Sequence, residues 1–194
     1  MQRRICVFCG SSPGLLPDYL AAARELGAAL VRHDLSLVYG GAHVGLMGEI
    51  ANSVMQCGGE AIGVMPQSLI DREIAHRGLS ELHVVQSMHE RKALMAELAD
   101  GFIALPGGFG TLEELFEIVT WGQLGLHRKP FGLLNVNQFF DQLIGFLDFA
   151  VGQQFIRPQH RQMILVDADP DRLLERFAAY EPPNIAKWIS REES

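Results

Sequence analysis

The chain has few cysteines, more acid than base and no long apolar run. Three cysteines in 194 residues exclude a disulfide framework, which needs several paired thiols in a small secreted chain. Cys6 and Cys9 have CxxC spacing, but they lie in the apolar run Ile5-Cys6-Val7-Phe8-Cys9. On a strand, residues three apart point to opposite faces. The two are therefore read as buried structural thiols, and Cys57, near the end of a helical pattern, is read the same way. The formal net charge of -7 argues against a nucleic-acid or membrane-surface binder, since both present a basic face. A small anionic ligand is still compatible, because a few local donors suffice for phosphate. No segment approaches the ~18 uninterrupted apolar residues of a membrane span. The first apolar run is cut short by Gly10-Ser11-Ser12-Pro13, too early for a signal peptide, so a cytoplasmic address is expected. His76, His83, His89, His127 and His160 show no metal-ligand spacing, and neither a metal nor a cofactor is expected.

What is present is a regular alternation. Apolar, β-rich runs lie at 4–9, 35–39, 61–65, 82–85, 101–105, 131–136 and 163–166. Several are nearly continuous in Val, Ile, Leu and Phe, as in strands covered on both faces. Helical patterns fall between them, at about 17–32, 45–57, 88–99, 111–124, 138–153 and 170–179. Asp169-Pro170 is an N-cap followed by proline at the first helical position, and Gly58-Gly59 and Asp100-Gly101 mark helix ends. The alternation predicts an α/β fold, a doubly wound, mostly parallel Rossmann-like sheet with helices on both faces. It is expected to form one nucleotide-binding domain over 1–180, with a C-terminal tail at 181–194. The polar stretch Gln67 to Ser80 interrupts the rhythm after a strand. It is either a wall or lid of the site at the strands' carboxyl ends or a solvated surface loop. Trp121 and the Phe139, Phe140, Phe146, Phe149 cluster read as core or subunit contact.

The most informative segment runs from Phe102 to Glu114. A strand enters Pro106-Gly107-Gly108-Phe109-Gly110-Thr111, and a helix pattern follows at once. Glycine lets the backbone approach a ligand closely, and a helix start offers unpaired N–H groups and the positive dipole end. The turn is neither a Walker loop nor the dinucleotide fingerprint, since no Gly-Lys-Ser/Thr follows and Glu113 stands where a third glycine should be. Phosphate binding is the reading, against a purely structural turn. Thr111 is placed to cap the helix or donate to phosphate. Gly40-Gly41-Ala42-His43-Val44-Gly45 is a second such turn, and the two are expected to face each other. Glu113 and Glu114 are read in the first helical turn, where carboxylates suit the dipole. They diverge by ~100°, so only one faces the site. Arg91 and Lys92, at another helix start, oppose the dipole and call for an anionic neighbour.

Pro106 to Glu114 matches the PGGxGTxxE motif of the LOG (LONELY GUY) family of cytokinin riboside 5′-monophosphate phosphoribohydrolases, and Met88-His89-Glu90-Arg91-Lys92 resembles that family's upstream Arg-Lys motif. The resemblance extends through Val7 to Ser12, Val38 to Gly41, Gly45 to Gly48, Gly63 to Pro66 and Lys129 to Asn135, covering about residues 3 to 180. Phe109 stands where many members carry tyrosine. The resemblance implies hydrolysis of the N-glycosidic bond of a nucleoside 5′-monophosphate, N6-modified AMP or AMP itself, and a homodimer with sites near the subunit interface. It implies Arg91 and Glu114 as the catalytic pair. Glu73, Lys92, Gly108, Phe109, Gly110, Thr111 and Thr120 would contact the substrate. Members are often labelled lysine decarboxylases, but no lysine here sits in a context that suggests a pyridoxal Schiff base. A non-catalytic nucleotide-binding or carrier protein on the same fold is the alternative.

Overall fold

A computed structural model describes residues 3–70 and 75–183. Seven parallel strands form one sheet: β1 (Arg3–Phe8), β2 (Leu35–Tyr39), β3 (Ala61–Pro66), β4 (Glu81–Val85), β5 (Gly101–Ala104), β6 (Phe131–Leu134) and β7 (Ile164–Asp167). Their order across the sheet is β4-β3-β2-β1-β5-β6-β7, and every pairing is parallel. The connections are α1 (Pro17–Arg32), α2 (Gly45–Gln56), the short α3 (Gln67–Ile70), α4 (Met88–Leu98), α5 (Phe109–Gln123), α6 (Asp141–Gly152), α7 (Pro158–Gln162) and α8 (Pro170–Ala178). The doubly wound α/β architecture expected from the alternation is therefore present. No described helix is long and apolar enough to cross a membrane.

Two cores follow from the period of two along each strand. Ile5, Val7 and Cys9 join Leu26 and Leu30 of α1, Ile50 and Val54 of α2 and Leu173 of α8 on one face. Cys6 and Phe8 join Met95 of α4, Leu115 and Ile118 of α5 and Leu147 of α6 on the other. Cys6 and Cys9 are thus buried on opposite faces, as read. Cys57 is exposed, contrary to the expectation of a buried thiol. It is the C-cap of α2, where Gly58 turns at φ 82°. There the N–H groups of Gly58 and Gly59 reach back to the carbonyls of Met55 and Val54. This Schellman closure leaves the cap residue at the surface.

Element edges differ where side chains compete with the backbone. The sixth strand stops at Leu134 because Asn135 turns the chain. Its Oδ1 accepts from the Phe140 N–H at 2.8 Å, and its Nδ2 donates to Asp141 at 2.7 Å. A 3₁₀ turn at Val136–Gln138 then precedes α6, which begins three residues later than the pattern suggested. Helices α3 and α7 have too few turns to give a periodic signal. Of the aromatic cluster, Phe140 is core, Trp121 packs against the second core, and Phe146 and Phe149 lie exposed on α6.

At α8 the sequence reading holds to the atom. Asp169 Oδ1 accepts from the Arg172 N–H at 3.0 Å, with Pro170 next in the first turn. Asp169→Ala is expected to cost about 1 kcal/mol of stability, read as a lowered denaturation midpoint with unchanged slope.

Candidate active site

The order β2-β1-β5 sets three loops side by side at the carboxyl edge, where the winding reverses and open α/β sheets bind ligands. Gly10, just past β1, ties them together. Its N–H donates to the Pro106 carbonyl at 3.0 Å and its carbonyl accepts from the Leu46 N–H at 3.1 Å. Both glycine turns thus lean on the loop after β1. Gly107 has no room for a side chain, because a Cβ there would lie 2.1 Å from Thr111 Oγ1 and 2.9 Å from Gly10 N. Gly108 and Gly110, in contrast, face open space.

Helix α5 starts at Phe109 with Gly108 as a bare N-cap, two residues earlier than expected. Two readings change with it. Thr111 is not the cap but the third helical residue, buried with its hydroxyl against Gly107. Glu113 and Glu114 fall in the second turn, and the first turn holds no acidic residue. The first turn-closing bond is Leu112 N–H to Gly108 O at 3.1 Å, so the N–H groups of Phe109, Gly110 and Thr111 have no acceptor within the helix. A helix start of this kind, with no acidic residue in its first turn, suits an anion. Phe109 beside it is 94% exposed. A cavity of about 310 Å³ adjoins the turn, bounded by Gly10 to Gly14, Tyr19, Leu46, Pro106 to Gly108 and Phe139. Residues 10–14 and the Tyr19–Phe139 edge-to-face pair had not been assigned to the site from sequence. The available signal was a Gly-Ser-Ser-Pro-Gly run directly after the first strand.

On the other side of the turn stands a buried ion pair. Ser87 caps α4 by accepting from the Glu90 N–H at 3.1 Å, and Glu90 reaches back to the Gln86 N–H at 2.7 Å, a variant of the capping box. This start directs Arg91 onto the ends of two strands. Its Nε donates to Val64 O at 3.0 Å and its Nη2 to Gly40 O at 2.9 Å. Nη1 is left 4.0 Å from Glu114 Oε1, with the two side chains 10% and 13% exposed. Burial pushes the Glu114 carboxyl from 4.5 up to about 7, and the nearby Arg91 guanidinium only partly opposes it. Lys92 turns instead to α5, where Glu113 and Glu117 accept from its ammonium. Of the two adjacent glutamates, Glu114 faces inward and Glu113 is largely exposed. The anionic neighbours that Arg91 and Lys92 called for are these α5 carboxylates. Burial, reinforced by the Glu114 charge, holds the Cys6 and Cys9 thiols well above their ordinary range, so both stay protonated.

Not every expected residue converges here. The Thr120 hydroxyl donates to Phe116 O at 2.7 Å, and Thr120 lies nine residues beyond Thr111, roughly 13 Å along the helix. Glu73 lies outside the described residues. Just after it, the polar excursion returns to the site edge, where Ala75 bridges to Ala42 and the His76 N–H donates to Gly41 O at 2.9 Å. That end of the excursion is tied to the loop after β2 and is not a free loop.

Fold and site together define a Rossmann-like α/β protein with an uncapped glycine-rich helix start and a buried arginine–carboxylate pair at the sheet's switch point. The family described as "Possible lysine decarboxylase" matches residues 47–177. The chain is 51% identical over 180 residues to the probable cytokinin riboside 5′-monophosphate phosphoribohydrolase LOGL6 of Oryza sativa subsp. japonica, covering 93% of this chain and 72% of that protein. It is 50% identical to the cytokinin riboside 5′-monophosphate phosphoribohydrolase LOG7 of Arabidopsis thaliana, covering 93% and 83%. The chain belongs to this LOG family of phosphoribohydrolases. Among solved structures, the molybdenum cofactor binding protein of Rippkaea orientalis superimposes with a TM-score of 0.71 at 21% identity, over 92% of this chain and 97% of that one. The Moco carrier protein of Chlamydomonas reinhardtii does so at 0.69 and 21%, over 92% and 99%. These two share the fold.

Two outcomes follow from the site's packing. Gly107→Ala is expected to cost about 1–3 kcal/mol through overpacking, seen as a lowered Tm. The folded state takes up a proton at Glu114 more readily than the unfolded chain does. The resulting stabilisation is complete below about 4.5 and is lost as pH rises through about 7, amounting to roughly 3 kcal/mol. The stability of the wild type relative to Glu114→Gln should therefore fall by about that amount between pH 4.5 and pH 8 in parallel denaturant titrations.

Proposed function

We propose that this chain hydrolyses the N-glycosidic bond of a nucleoside 5′-monophosphate, releasing free base and ribose 5-phosphate. The observation that carries the reading is the spacing of two features on one helix. The bare start of α5 offers the N–H groups of Phe109, Gly110 and Thr111 beside the open faces of Gly108 and Gly110. Glu114 lies one turn further on, about 5 Å along the axis, facing Arg91. A phosphate on the seat sets its own ribose over that carboxylate.

In the reaction the bond between C1′ and the base nitrogen breaks, and its electron pair leaves with the base. Positive charge builds on the sugar as an oxocarbenium-like transition state, which the ionised Glu114 stabilises. Glu114 also takes a proton from the attacking water, whose hydroxide adds to C1′, and the departing base takes a proton from solvent, to which Glu114 returns its own at the end of the cycle. A carboxyl that titrates near neutral pH suits both the carboxylate and the protonated state of that cycle. Arg91 is the fixed cation of the pair, its guanidinium already anchored by two carbonyls. The names of the relatives favour an N6-modified AMP as substrate. The label lysine decarboxylase finds no support in the two described lysines. Lys92 is held by two carboxylates and Lys129 donates to Ala96 O at 2.8 Å, so neither is available for a Schiff base.

The proposal extends to a homodimer in the cytoplasm. Phe146 and Phe149 expose an apolar face on α6, and a contact from Thr120 would come from a second copy, since it is remote from its own chain's phosphate seat. Phe109 and Glu73 complete the proposed substrate contacts.

Incubation with AMP and with N6-isopentenyl-AMP should release free base. Glu114→Gln should bind either nucleotide with little loss and turn over at least a hundred-fold more slowly. Tight binding with no base from the wild type would point to the carrier reading, and full turnover by Glu114→Gln would remove the assignment.

A further inference from the structure

Behind the Arg91–Glu114 pair lies a second set of charges in the same register. Lys92 follows Arg91 on α4, and Glu113 and Glu117 flank Glu114 on α5. Glu113 and Glu117 are one helical turn apart, a spacing at which like charges repel. The Lys92 ammonium lies between them, bonded to Glu113 and at 3.1 Å from Glu117 Oε1. Its side chain is only 11% exposed. Burial works against that charge, but the two carboxylates outweigh it and hold the ammonium above its usual range. A lysine buried so far between two helices is a built link, unlike a surface pair whose partners exchange with water.

We propose that Glu117, with Glu113, is a positioning residue for the reaction. The two carboxylates fix Lys92 as a second cation behind Glu114, and this clamp between α4 and α5 sets both the placement and the ionisation of the Arg91–Glu114 pair. The inference rests on the reading of Glu114 as the group that must be ionised for turnover. It also gives Lys92 a role through α5 that needs no contact with substrate.

Among the described residues, the charged and titratable groups around Glu114 are Arg91 and Lys92 from α4, Glu113 and Glu117 from its own helix, and the Cys6 and Cys9 thiols from the first strand and its end. The thiols stay neutral over the working range, so four charges decide the matter. Arg91 and Lys92 favour the Glu114 carboxylate, and Glu113 and Glu117 oppose it. Removing a neighbour of either kind breaks the same clamp, yet the two kinds push Glu114 in opposite directions.

That opposition is the test. In base-release assays across pH, the acid limb of log kcat should move to lower pH in Glu117→Gln and Glu113→Gln. It should move to higher pH in Lys92→Met, each by roughly half a unit. The Lys92→Met/Glu117→Gln double variant, with both signs removed, should fall between the single variants. The same signs should appear without turnover in the carbon-13 NMR titration of the Glu114 carboxyl, assigned by its absence in Glu114→Gln. Shifts in one common direction, or none, would overturn the inference even if every variant releases base. If the wild type releases no base, the nucleosidase reading fails on its own, and the NMR titration still decides the clamp.

Discussion

A buried guanidinium is the constraint on which the rest of this site depends. Arg91 is removed from water, and a buried cation is tolerated only when its donors are met and its charge is answered. Two donors are met by main-chain carbonyls at Gly40 and Val64, at or near the ends of β2 and β3. The charge is answered by Glu114 from α5. One side chain thus joins the sheet, the helix that returns to it and the helix that follows the glycine turn. The carbonyls also restrain the guanidinium from closing fully on Glu114, and at 4.0 Å the pair is near but not in contact. Burial outweighs the guanidinium's pull and raises the carboxyl to about 7.

The glycine turn and the ion pair contribute different things. The turn supplies main-chain donors and the absence of side chains, features that many nucleotide-binding folds share. The pair supplies charge at one defined distance from that seat. Proteins at 21% identity with TM-scores near 0.7 share the sheet and its switch point, whereas relatives near 50% identity share the family. The fold provides the edge on which a ligand can sit, and the chemistry is decided by which side chains stand beside it.

Much of this was legible beforehand, and the gaps have physical reasons. Strand and helix order followed from hydrophobic period, and the tight turn before α5 from its cluster of glycines. That only one of Glu113 and Glu114 faces inward followed from their angular separation. The start of α5 was misplaced by two residues, because glycine is a poor helix former and Gly110 disguises the first turn. The error mattered, since it made a core carboxylate look like a dipole-stabilising one. The partners of Arg91 were invisible because they are carbonyls, which every residue carries. The Gly10 to Gly14 wall was missed because its role comes from strand order, which places the first and fifth strands together and cannot be read from local pattern. Thr120 rests on resemblance alone, since nothing in the local pattern ties it to the glycine turn.

The proposed reaction depends on a Glu114 that ionises near neutral pH and must be ionised to act. The direct measurement is the pH dependence of single-turnover base release by the wild-type protein from a bound nucleoside 5′-monophosphate. The rate should climb with pH through a single ionisation near 7 and then level. A rate already level from pH 5.5 upward, with its limb down at the ordinary glutamate value, would contradict it.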